Sequence, residues 1–511
     1  MSDAPATPGA WTGAVAGVLS ATAGLAAAEL LGGVVGSARA PVVSVGNRVV
    51  DLVPRPVKDW AISTFGTNDK AVLLGGVLLL LAAAAAGVGV VAQRRGTRSG
   101  LLGVALFTLI GVVASLGRGG GAGAVAASLL AGLVAAGVLV ALLARAPAAP
   151  AETADAPLDR RRFLVGAGVV AATSVAAVAA GRWLRARGVA AAERLKVVLP
   201  RARQPLPAVD PAVSVDVRGV SPFLTPNDRF YRIDTALAVP QVDPAEWTLT
   251  VGGRVRSPLT LTWAELLERP MIETDVTIAC VSNEVGGNLV GTARWLGCRL
   301  DDLLAEAGVD PGADQVVGRS VDGFTAGFPT AVLDGRDAVV AVGMNGEPLP
   351  VAHGFPARLI VPGLYGYVSA TKWLSEIELT RFDEFTGYWI PRGWAVEAPV
   401  KTQSRIDTPR PGTRVEAGRP VAVAGVAWAP GRGVAGVEVR VDDGPWRPAR
   451  LGQEHARTTW RQWVWDWTPT PGDHRLQVRA TDGTGTTQPE EPTPVAPDGA
   501  DGWHQVTVSA S

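Results

Sequence analysis

Two stretches of the chain carry residue types able to do chemistry. In Thr277-Ile278-Ala279-Cys280-Val281-Ser282-Asn283-Glu284-Val285-Gly286-Gly287 a β-type run ends at a cysteine and passes into small polar residues and glycines. That pattern predicts a sulfur exposed at a strand terminus, where a soft thiolate suits a heavy metal or acts as a nucleophile. A small buried apolar residue and a disulfide to Cys298 are the competing readings. Cys298 itself precedes a helical pattern and reads as packing. The second stretch runs from Met344-Asn345-Gly346-Glu347-Pro348-Leu349-Pro350 through His353-Gly354-Phe355-Pro356-Ala357-Arg358 and Val361-Pro362-Gly363-Leu364-Tyr365-Gly366 to Ser369-Ala370-Thr371-Lys372-Trp373. Asn-Gly predicts a hairpin turn. The glycine-rich loop followed by hydroxyls and an ammonium suits a phosphate or pyrophosphate, although a turn and a surface lysine explain it equally well. Two cysteines in all exclude a disulfide scaffold and any four-cysteine zinc or iron–sulfur site.

The elements that must position these residues follow from composition. Lys+Arg and Asp+Glu are both 47 in 511 residues, so no global field attracts nucleic acid. Only 18% of residues are charged against 48% hydrophobic, and mean hydropathy is +0.22, which places part of the chain in a membrane. Four apolar runs, Thr12 to Gly36, Ala71 to Ala92, Ser99 to Gly117 and Ala122 to Ala144, each approach the ~20 residues a spanning helix needs and show no polar stripe. Arg94, Arg95 and Arg98 place the loop between the second and third spans in the cytoplasm, and the amino terminus with it. The loop from Ser37 to Lys70 is then outside and the stretch from Arg145 to Arg162 inside. Asp159-Arg160-Arg161-Arg162-Phe163-Leu164, leading into apolar Val165 to Ala180, resembles a twin-arginine export signal; an ordinary juxtamembrane basic cluster is the alternative. The arginines after Gly181 (Arg182, Arg185, Arg187) conflict with an exported side, a conflict that export of a folded domain relieves. Ala177-Val178-Ala179 offers a cleavage site.

Beyond about Val197 the texture is soluble. From Arg201 to about Gly393 short strand patterns mix with helical ones at Thr262 to Glu268 and Leu300 to Ala307, which predicts a mixed α/β domain. Past Val400 alternation takes over: Val437, Val439 and Val441 before Asp442-Asp443-Gly444, Trp463, Trp465 and Trp467 before Pro469, and Leu476, Val478 and Ala480 before Asp482-Gly483. Short strands with this punctuation predict an immunoglobulin-like β-sandwich without a disulfide.

Taken in order, Thr225-Pro226-Asn227, Cys280-x-x-Asn283, Thr292-Ala293-Arg294-Trp295-x-Gly297, Ser320-x-Asp322-Gly323, Met344-Asn345-Gly346-x-Pro348-Leu349-Pro350, His353-Gly354-Phe355-Pro356-x-Arg358, Lys372-Trp373 and Tyr388-Trp389 resemble the sulfite oxidase family of molybdenum enzymes. Trp460-Arg461-x-Trp463 and Trp503-His504-x-Val506 resemble the family's dimerisation domain, and the amino-terminal part with its internal signal resembles actinobacterial membrane members. The resemblance implies an α-helical transmembrane region (four helices in 1–150, the signal and a fifth helix in 151–200), then a mixed α+β sulfite-oxidase-type molybdopterin domain (201–395), then the immunoglobulin-like dimerisation domain (396–511). It also implies molybdenum held by one molybdopterin and the Cys280 thiolate, with the cofactor doing two-electron oxygen-atom transfer. Pterin and phosphate contacts then fall to Asn227, Tyr231, Arg232, Asn283, Ser320, His353, Arg358, Ala370, Thr371 and Lys372, and substrate contact to Tyr388, Arg392 and Trp394.

The sequence also departs from that pattern. Sulfite-oxidising members carry arginines soon after the Cys-x-x-Asn element, whereas Glu284 and Val285 stand here. Phe230-Tyr231-Arg232-Ile233-Asp234 replaces an Arg-Asn-His pattern, keeping Arg232 by a one-residue gap and losing the histidine. A carboxylate in place of a guanidinium binds sulfite poorly, so the substrate is a small oxo-anion or, alternatively, a sulfoxide or N-oxide to be reduced. All four histidines, His353, His455, His474 and His504, lie outside the spans, and Cys-x-x-Cys-His is absent, so the chain holds no haem. A separate redox protein or a quinone must exchange the electrons, and a homodimer is expected. The reading is of a multi-pass cell-membrane protein with its catalytic domain outside the cytoplasm. The competing classes are a non-enzymatic surface binding or sensor protein, which leaves the motif order unexplained, and a transporter, for which Glu29 is the one intramembrane charge.

Overall fold

The computed structural model describes residues 10–35, 39–54, 57, 60, 64–65, 69–117, 120–146, 156–186 and 189–511; Arg187, the side chain of Arg160 and parts of the loop from Ser37 to Lys70 lie outside the described residues. The chain forms two compact units. One comprises the described residues up to Ala192 together with Thr235–Gln241, and the other Glu193–Asp234 with Val242–Ser511.

The first unit is built of α1 (Ala10–Val34), α2 (Pro41–Leu52), α3 (Asp69–Arg95), α4 (Thr97–Ser115), α5 (Ala122–Leu143) and α6 (Ala156–Ala186). Among the described residues five of these, all but α2, are long and apolar enough to cross a membrane. Their ends fall close to the runs read from the sequence, except that α6 extends well past Val165 to Ala180 at both ends, because arginine continues a helix readily. Glycine permits backbone contact between the helices: a Cβ on Gly17 would lie 1.9 Å from the Ala85 carbonyl oxygen, and one on Gly181 would lie 2.6 Å from that of Glu29. Small residues at the crossing are how apolar helices associate where no hydrophobic force separates them from lipid. Thr12 and Gln93 join α1 to α3 by a side-chain hydrogen bond of 3.0 Å.

Helix α2 is the element the sequence reading missed. At 12 residues it is too short to span. Proline at its first turn starts it, and Val42, Val45 and Val49 line the bundle interior beside Leu81 and Phe107. This i, i+3, i+7 spacing was present in what read as a loop.

The second unit begins with α7 (Val189–Lys196), which straddles the unit boundary; its Arg194, within the second unit, donates from Nε to the Leu349 carbonyl at 2.9 Å. One sheet runs β3 (Met271–Ala279), β4 (Val290–Arg299), β7 (Val339–Met344) and β8 (Glu347–Pro348), with β9 (Arg358–Ile360) also on β7. A second has the order β2 (Leu259–Thr262), β1 (Thr248–Gly253), β10 (Leu374–Thr380), β5 (Gln315–Ser320) and β6 (Thr325–Pro329). Its β1 and β10 are parallel and the other pairs antiparallel. Helix α8 (Trp263–Glu268) starts at a capping box, in which the Thr262 backbone N–H donates to Glu265 at 2.8 Å and the Glu265 N–H donates to Thr262 Oγ1. Helix α9 (Leu300–Ala307) occupies the span expected of it. Asn345 and Gly346, both at positive φ, turn β7 into β8 as the Asn-Gly pair predicts.

Beyond residue 400 two more sheets share one core. The first is β11 (Gln403–Thr408), β13 (Val421–Trp428), β17 (Arg461–Trp467) and β16 (Arg450–Leu451). The second is β12 (Arg414–Val415), β19 (His504–Ala510), β18 (Gly472–Asp482), β14 (Val434–Val441) and β15 (Arg447–Pro448). Trp463 and Trp467 from one sheet bury against Val437, Val439, Leu476, Val478 and Ala480 from the other, so the alternation read from the sequence marks the inward face.

Polar contacts tie β3 to the carboxy-terminal sheets. Asp275 is 1% exposed; it takes two hydrogen bonds from Arg294, at 2.9 and 2.8 Å, and lies 2.7 Å from His455 Nε2. Two residues on, Thr277 donates its N–H to Thr458 and accepts from the Trp460 N–H. Asp275→Ala takes two charged hydrogen bonds from Arg294 and leaves its guanidinium Glu273, at 4.0 Å, and the Leu206 carbonyl, a loss of about 2–3 kcal/mol. Thermal and denaturant unfolding of the full chain in detergent measures it, and a change under about 1 kcal/mol would show the cluster to be solvated.

Candidate functional site

Strand β3 delivers Cys280 one residue past its end, and a closed loop follows. The Cys280 N–H donates to Leu289 O at 2.9 Å, the Asn283 N–H donates to Cys280 O at 3.0 Å, and Asn283 Oδ1 accepts from the Leu289 N–H at 2.7 Å. The Cys-x-x-Asn spacing therefore has a local reason: the amide closes the loop that the cysteine opens. Gly286, at φ +76°, lies against His504, where a Cβ would meet Cδ2 at 2.1 Å, and a Cβ on Gly287 would meet Asn283 Oδ1 at 2.6 Å. Arg405 donates to Gly287 O at 2.6 Å. The loop is thus gripped by β11 and β19.

Cys280 is 8% exposed, contrary to the exposed sulfur expected, because Tyr231 and the turn of α10 (Gly366–Ser369) pack around the end of β3; a Cβ on Gly366 would contact Ala279 O and Tyr231 Oη, both at 3.7 Å. Burial raises the thiol pKa, against the pull of the Ser282 N–H and hydroxyl and of the Lys372 charge. Both cysteines are free. Cys298 pairs with Met271 at the far end of the β3–β4 ladder, roughly 30 Å of strand away, which removes the disulfide reading. Cys298 is 1% exposed, as packing requires.

Opposite the sulfur, the motif residues converge. Asn345 Nδ2 donates to Thr225 O and to Asn227 Oδ1, each at 2.9 Å, while Asn227 Nδ2 donates to Met344 O. His353 Nε2 lies 3.2 Å from Asn227 O. Arg358 and Lys372 stand on neighbouring segments joined by Leu359 N–H to Thr371 O and Leu374 N–H to Ala357 O, both 2.9 Å. Gly354, at φ +114°, lets them approach, since a Cβ there would be 3.1 Å from both side chains. Arg358 is 4% exposed, rests 5.1 Å above the Trp295 ring, and donates to His353 O and Ala370 O at 3.0 and 3.3 Å. Lys372 Nζ donates to Asp234 at 2.7 Å, and the same carboxylate takes Arg232 at 3.0 Å. Burial pulls Arg358 down to about 10 and Lys372 down to about 8, the latter despite Asp234. Burial, and then the neighbouring Cys280, push the Tyr231 hydroxyl far above its ordinary range.

Three buried polar atoms of these residues, Arg358 Nε, Asn283 Nδ2 and Thr371 Oγ1, have no hydrogen-bond partner among the described residues. Burying donors without acceptors costs free energy, so this cradle is built for a ligand rich in acceptors. Ser320 lies opposite Leu374 on β10, its hydroxyl accepting from the Asp322 N–H at 3.3 Å. Arg232 is exposed at the edge and directed to Asp234.

Tyr388 and Arg392 form a separate cluster. The Arg392 guanidinium sits 3.7 Å over the Tyr388 ring, which also contacts Phe324 and Trp389 at 5.8 and 5.1 Å between centroids. Trp394 contacts Trp389 and Tyr367, and Tyr367 is the second residue of α10. Through α10 the cluster reaches the backbone beside Cys280. Sequence reasoning did not assign Asp234, Trp295, His504 or Arg405 to the site; only Gly286-Gly287 signalled that another element would approach the loop.

Comparison with known proteins agrees in extent with this architecture. The oxidoreductase molybdopterin binding domain family matches residues 236–389, and the Mo-co oxidoreductase dimerisation domain family matches 395–511. The chain is 30% identical over 325 residues to the sulfite oxidase of Gallus gallus, covering 53% of this chain and 70% of that protein. It is 30% identical over 342 residues to the mitochondrial sulfite oxidase of Homo sapiens, covering 57% and 62%. It thus spans about three-fifths of the length of that relative. The sulfane dehydrogenase SoxCD from Paracoccus pantotrophus superimposes with a TM-score of 0.48 at 24% identity, over 55% of this chain and 76% of that one.

Two buried histidines set an acid limit. Burial, assisted by Arg358 and Lys372 for His353 and by Arg405 for His504, pulls both down to about 4 from the ordinary ~6.5. The unfolded chain takes up protons in that window that the fold refuses, so stability present above about pH 6.5 is lost as pH falls towards 4, by up to about 2.7 kcal/mol per pH unit. Unfolding free energy measured across this range tests the slope, and His504→Gln should halve it. A slope unaltered by the substitution means that His504 protonates in the folded state.

Proposed function

The chain belongs to the sulfite oxidase family of molybdopterin-dependent oxidoreductases, with Mo-molybdopterin as cofactor, and from that premise we propose a membrane-anchored, extracytoplasmic enzyme of oxygen-atom transfer whose molybdenum is bound by the Cys280 thiolate. The observation that carries this reading is the buried Cys280 facing a cradle of cations and unpartnered donors. The residues present fit the group: Arg358 Nε, Asn283 Nδ2 and the Thr371 hydroxyl offer hydrogen bonds, and Lys372 offers charge to a phosphate.

When bound, the cofactor supplies two-electron redox cycling at the metal. The protein's part is electrostatic and positional. Ser282 and Lys372 favour the Cys280 thiolate against the cost of burial, and ligation requires that form. Asn227, Tyr231, Arg232, Ser320, His353 and the Ala370-Thr371-Lys372 segment orient the pterin, His353 as a neutral ring. Tyr388 and Arg392 hold the substrate oxygen, the guanidinium being fixed by stacking on the Tyr388 ring.

Sulfite, the substrate in the relatives' names, is one candidate. Reduction of a sulfoxide or N-oxide is favoured by exposed Glu284 where a second guanidinium would serve a dianion, and by the aromatic group Phe324, Tyr388, Trp389 and Trp394. The boundaries at 150, 200 and 395, the five crossings with a cytoplasmic amino terminus, and the twin-arginine role of Arg160-Arg161 belong to the same proposal. So does an immunoglobulin-like carboxy-terminal sandwich that forms a homodimer, with a redox protein or quinone as electron partner. Backbone contact of α6 with α1 at Gly33 and Gly181 supports retention of the fifth span.

Full-length protein from cells with intact cofactor synthesis should contain about one molybdenum and one pterin per chain; absence of both overturns the proposal. With artificial electron carriers, Cys280→Ser should abolish turnover of the responsive substrate among sulfite, sulfoxides and N-oxides, and Cys298→Ser should retain it. Equal losses would contradict a ligand role confined to Cys280.

Asp234→Asn removes the carboxylate that favours the charged form of Lys372 against burial, so the amine's pKa falls further and a smaller share of it is charged near pH 7. Pterin content of that variant should drop several-fold relative to the parent and recover when cells and buffers are held at lower pH. A rise in content would mean that Asp234 chiefly repels the anion.

A further inference from the structure

Phe230 carries no polar atom on its side chain, yet among the described residues its three ring contacts all go to the cofactor site. It stacks on Tyr231 with ring centroids 5.3 Å apart and planes 23° from parallel, and it stands edge-on to Trp295 at 6.0 Å and 85° and to His353 at 5.8 Å and 82°. The local sequence seats it there. Thr225 donates its N–H to Thr292 O at 2.8 Å, and a turn closed by the Arg229 N–H on Pro226 O at 3.0 Å brings the chain back over β4. Gly291 leaves the space: a Cβ there would lie 2.9 Å from Phe230 Cε2. Trp295, four residues further along the strand, shares the face that Gly291 opens. The ring laid across both is 5% exposed.

Two of these contacts converge on one buried charge. The Arg358 guanidinium lies 5.1 Å from the Trp295 ring and donates to the His353 carbonyl at 3.0 Å, so Phe230 touches both of its supports. We propose that Phe230 is a positioning residue of the cofactor site, its ring setting the planes of Tyr231, Trp295 and His353 and, through the last two, the direction of Arg358. The inference rests on the molybdopterin reading of the cradle. Stacked and edge-to-face pairs hold an interplanar angle because a ring is negative on its face and positive at its edge. An aliphatic side chain of similar size fills the same space and holds no angle. A guanidinium binds an anion best when its planar fork is already aimed, and the Phe230 ring supplies that aim at second hand. His353 is steadied from its other side, where Nε2 lies 3.2 Å from Asn227 O.

The test uses the full-length chain in detergent, from cells with intact cofactor synthesis and from cells lacking it. Pterin and molybdenum per chain, followed across a dilution series, measure how tightly the cofactor is held. Phe230→Leu should weaken retention about tenfold, the effect of losing one to two aromatic pairs. Leu476→Ala, in the fully buried core shared by the carboxy-terminal sheets, is the stability control: it should lower the melting temperature of the cofactor-free protein at least as far as Phe230→Leu does and keep its pterin. Gly291→Ala, which leaves Phe230 in the chain and puts a Cβ into its seat, should repeat the loss of retention and serves if Phe230→Leu is not produced. With Arg358→Lys already present, Phe230→Leu should cost less than about threefold, because the ring acts through the guanidinium and the two changes are then not additive. Retention that falls no further in Phe230→Leu than in Leu476→Ala, or the same fold loss in the parent and Arg358→Lys backgrounds, overturns the inference. A parent chain without pterin refutes the molybdopterin reading itself, whereas a parent that holds pterin while Phe230→Leu holds it equally well refutes this inference alone.

Discussion

Two buried cations, Arg358 and Lys372, stand side by side with one carboxylate, Asp234, which pairs with Lys372 and the exposed Arg232 and leaves Arg358 to two carbonyls, and the site is arranged around that imbalance. Pulling a guanidinium and an ammonium out of water is costly, and burial depresses the proton affinity of both. Asp234 offsets part of this for Lys372, and the Trp295 ring and two carbonyls offset part for Arg358. What remains is a standing preference for an anion, held in the fold by Gly354, which lets the two side chains share one wall. A neutral His353 follows from the same field, because two nearby cations oppose its protonation. Local instability of this kind is what a preorganised anion site looks like before its ligand is counted.

The sulfur belongs to a different construction. Its loop is closed from within by Asn283 and held from without by His504 and Arg405, residues more than a hundred positions away. Asp275 and Thr277 fasten the same strand, a few residues earlier, to His455 and Trp460 in the segment that leads into β17. The carboxy-terminal sheets therefore act on the chemistry of the second unit by fixing where β3 ends. Loss of that attachment would move Cys280 before it unfolded the cradle, since Arg358 and Lys372 hang on β9 and the segment before β10.

Much of this was legible in the sequence because it is local. The Asn345-Gly346 turn, helix α9 and the alternating valines and tryptophans each follow from spacing within about ten residues. The motif order likewise grouped Asn227, His353, Arg358 and Lys372, which the fold places beside one another. What the sequence hid is long-range. Cys280 reads as exposed because nothing nearby in the chain covers it; the cover comes from Tyr231 and α10. Asp234 has no local signal as a counter-ion, being 138 positions from Lys372. Helix α2 has a clear apolar spacing but too few turns to stand out in a stretch dominated by longer apolar runs.

The charge at the substrate side bears on which oxygen the enzyme handles. A dianion such as sulfite needs its second charge neutralised once water is removed, because an uncompensated charge in a low-dielectric site is far costlier than a neutral dipole. On the proposed reading Arg392 provides one guanidinium, already oriented by the Tyr388 ring and by a 2.5 Å hydrogen bond to the Tyr388 carbonyl. The loop after Asn283 provides a carboxylate and a valine where a second guanidinium would serve that purpose. A neutral S=O or N–O group asks for less: one oriented donor to its oxygen and apolar surface for its substituents, which Phe324, Trp389 and Trp394 can offer. Exchanging a single position, Glu284, for arginine would alter that balance without touching the cofactor cradle, so the family's chemistry can be redirected from the rim of the site while its buried cations stay fixed.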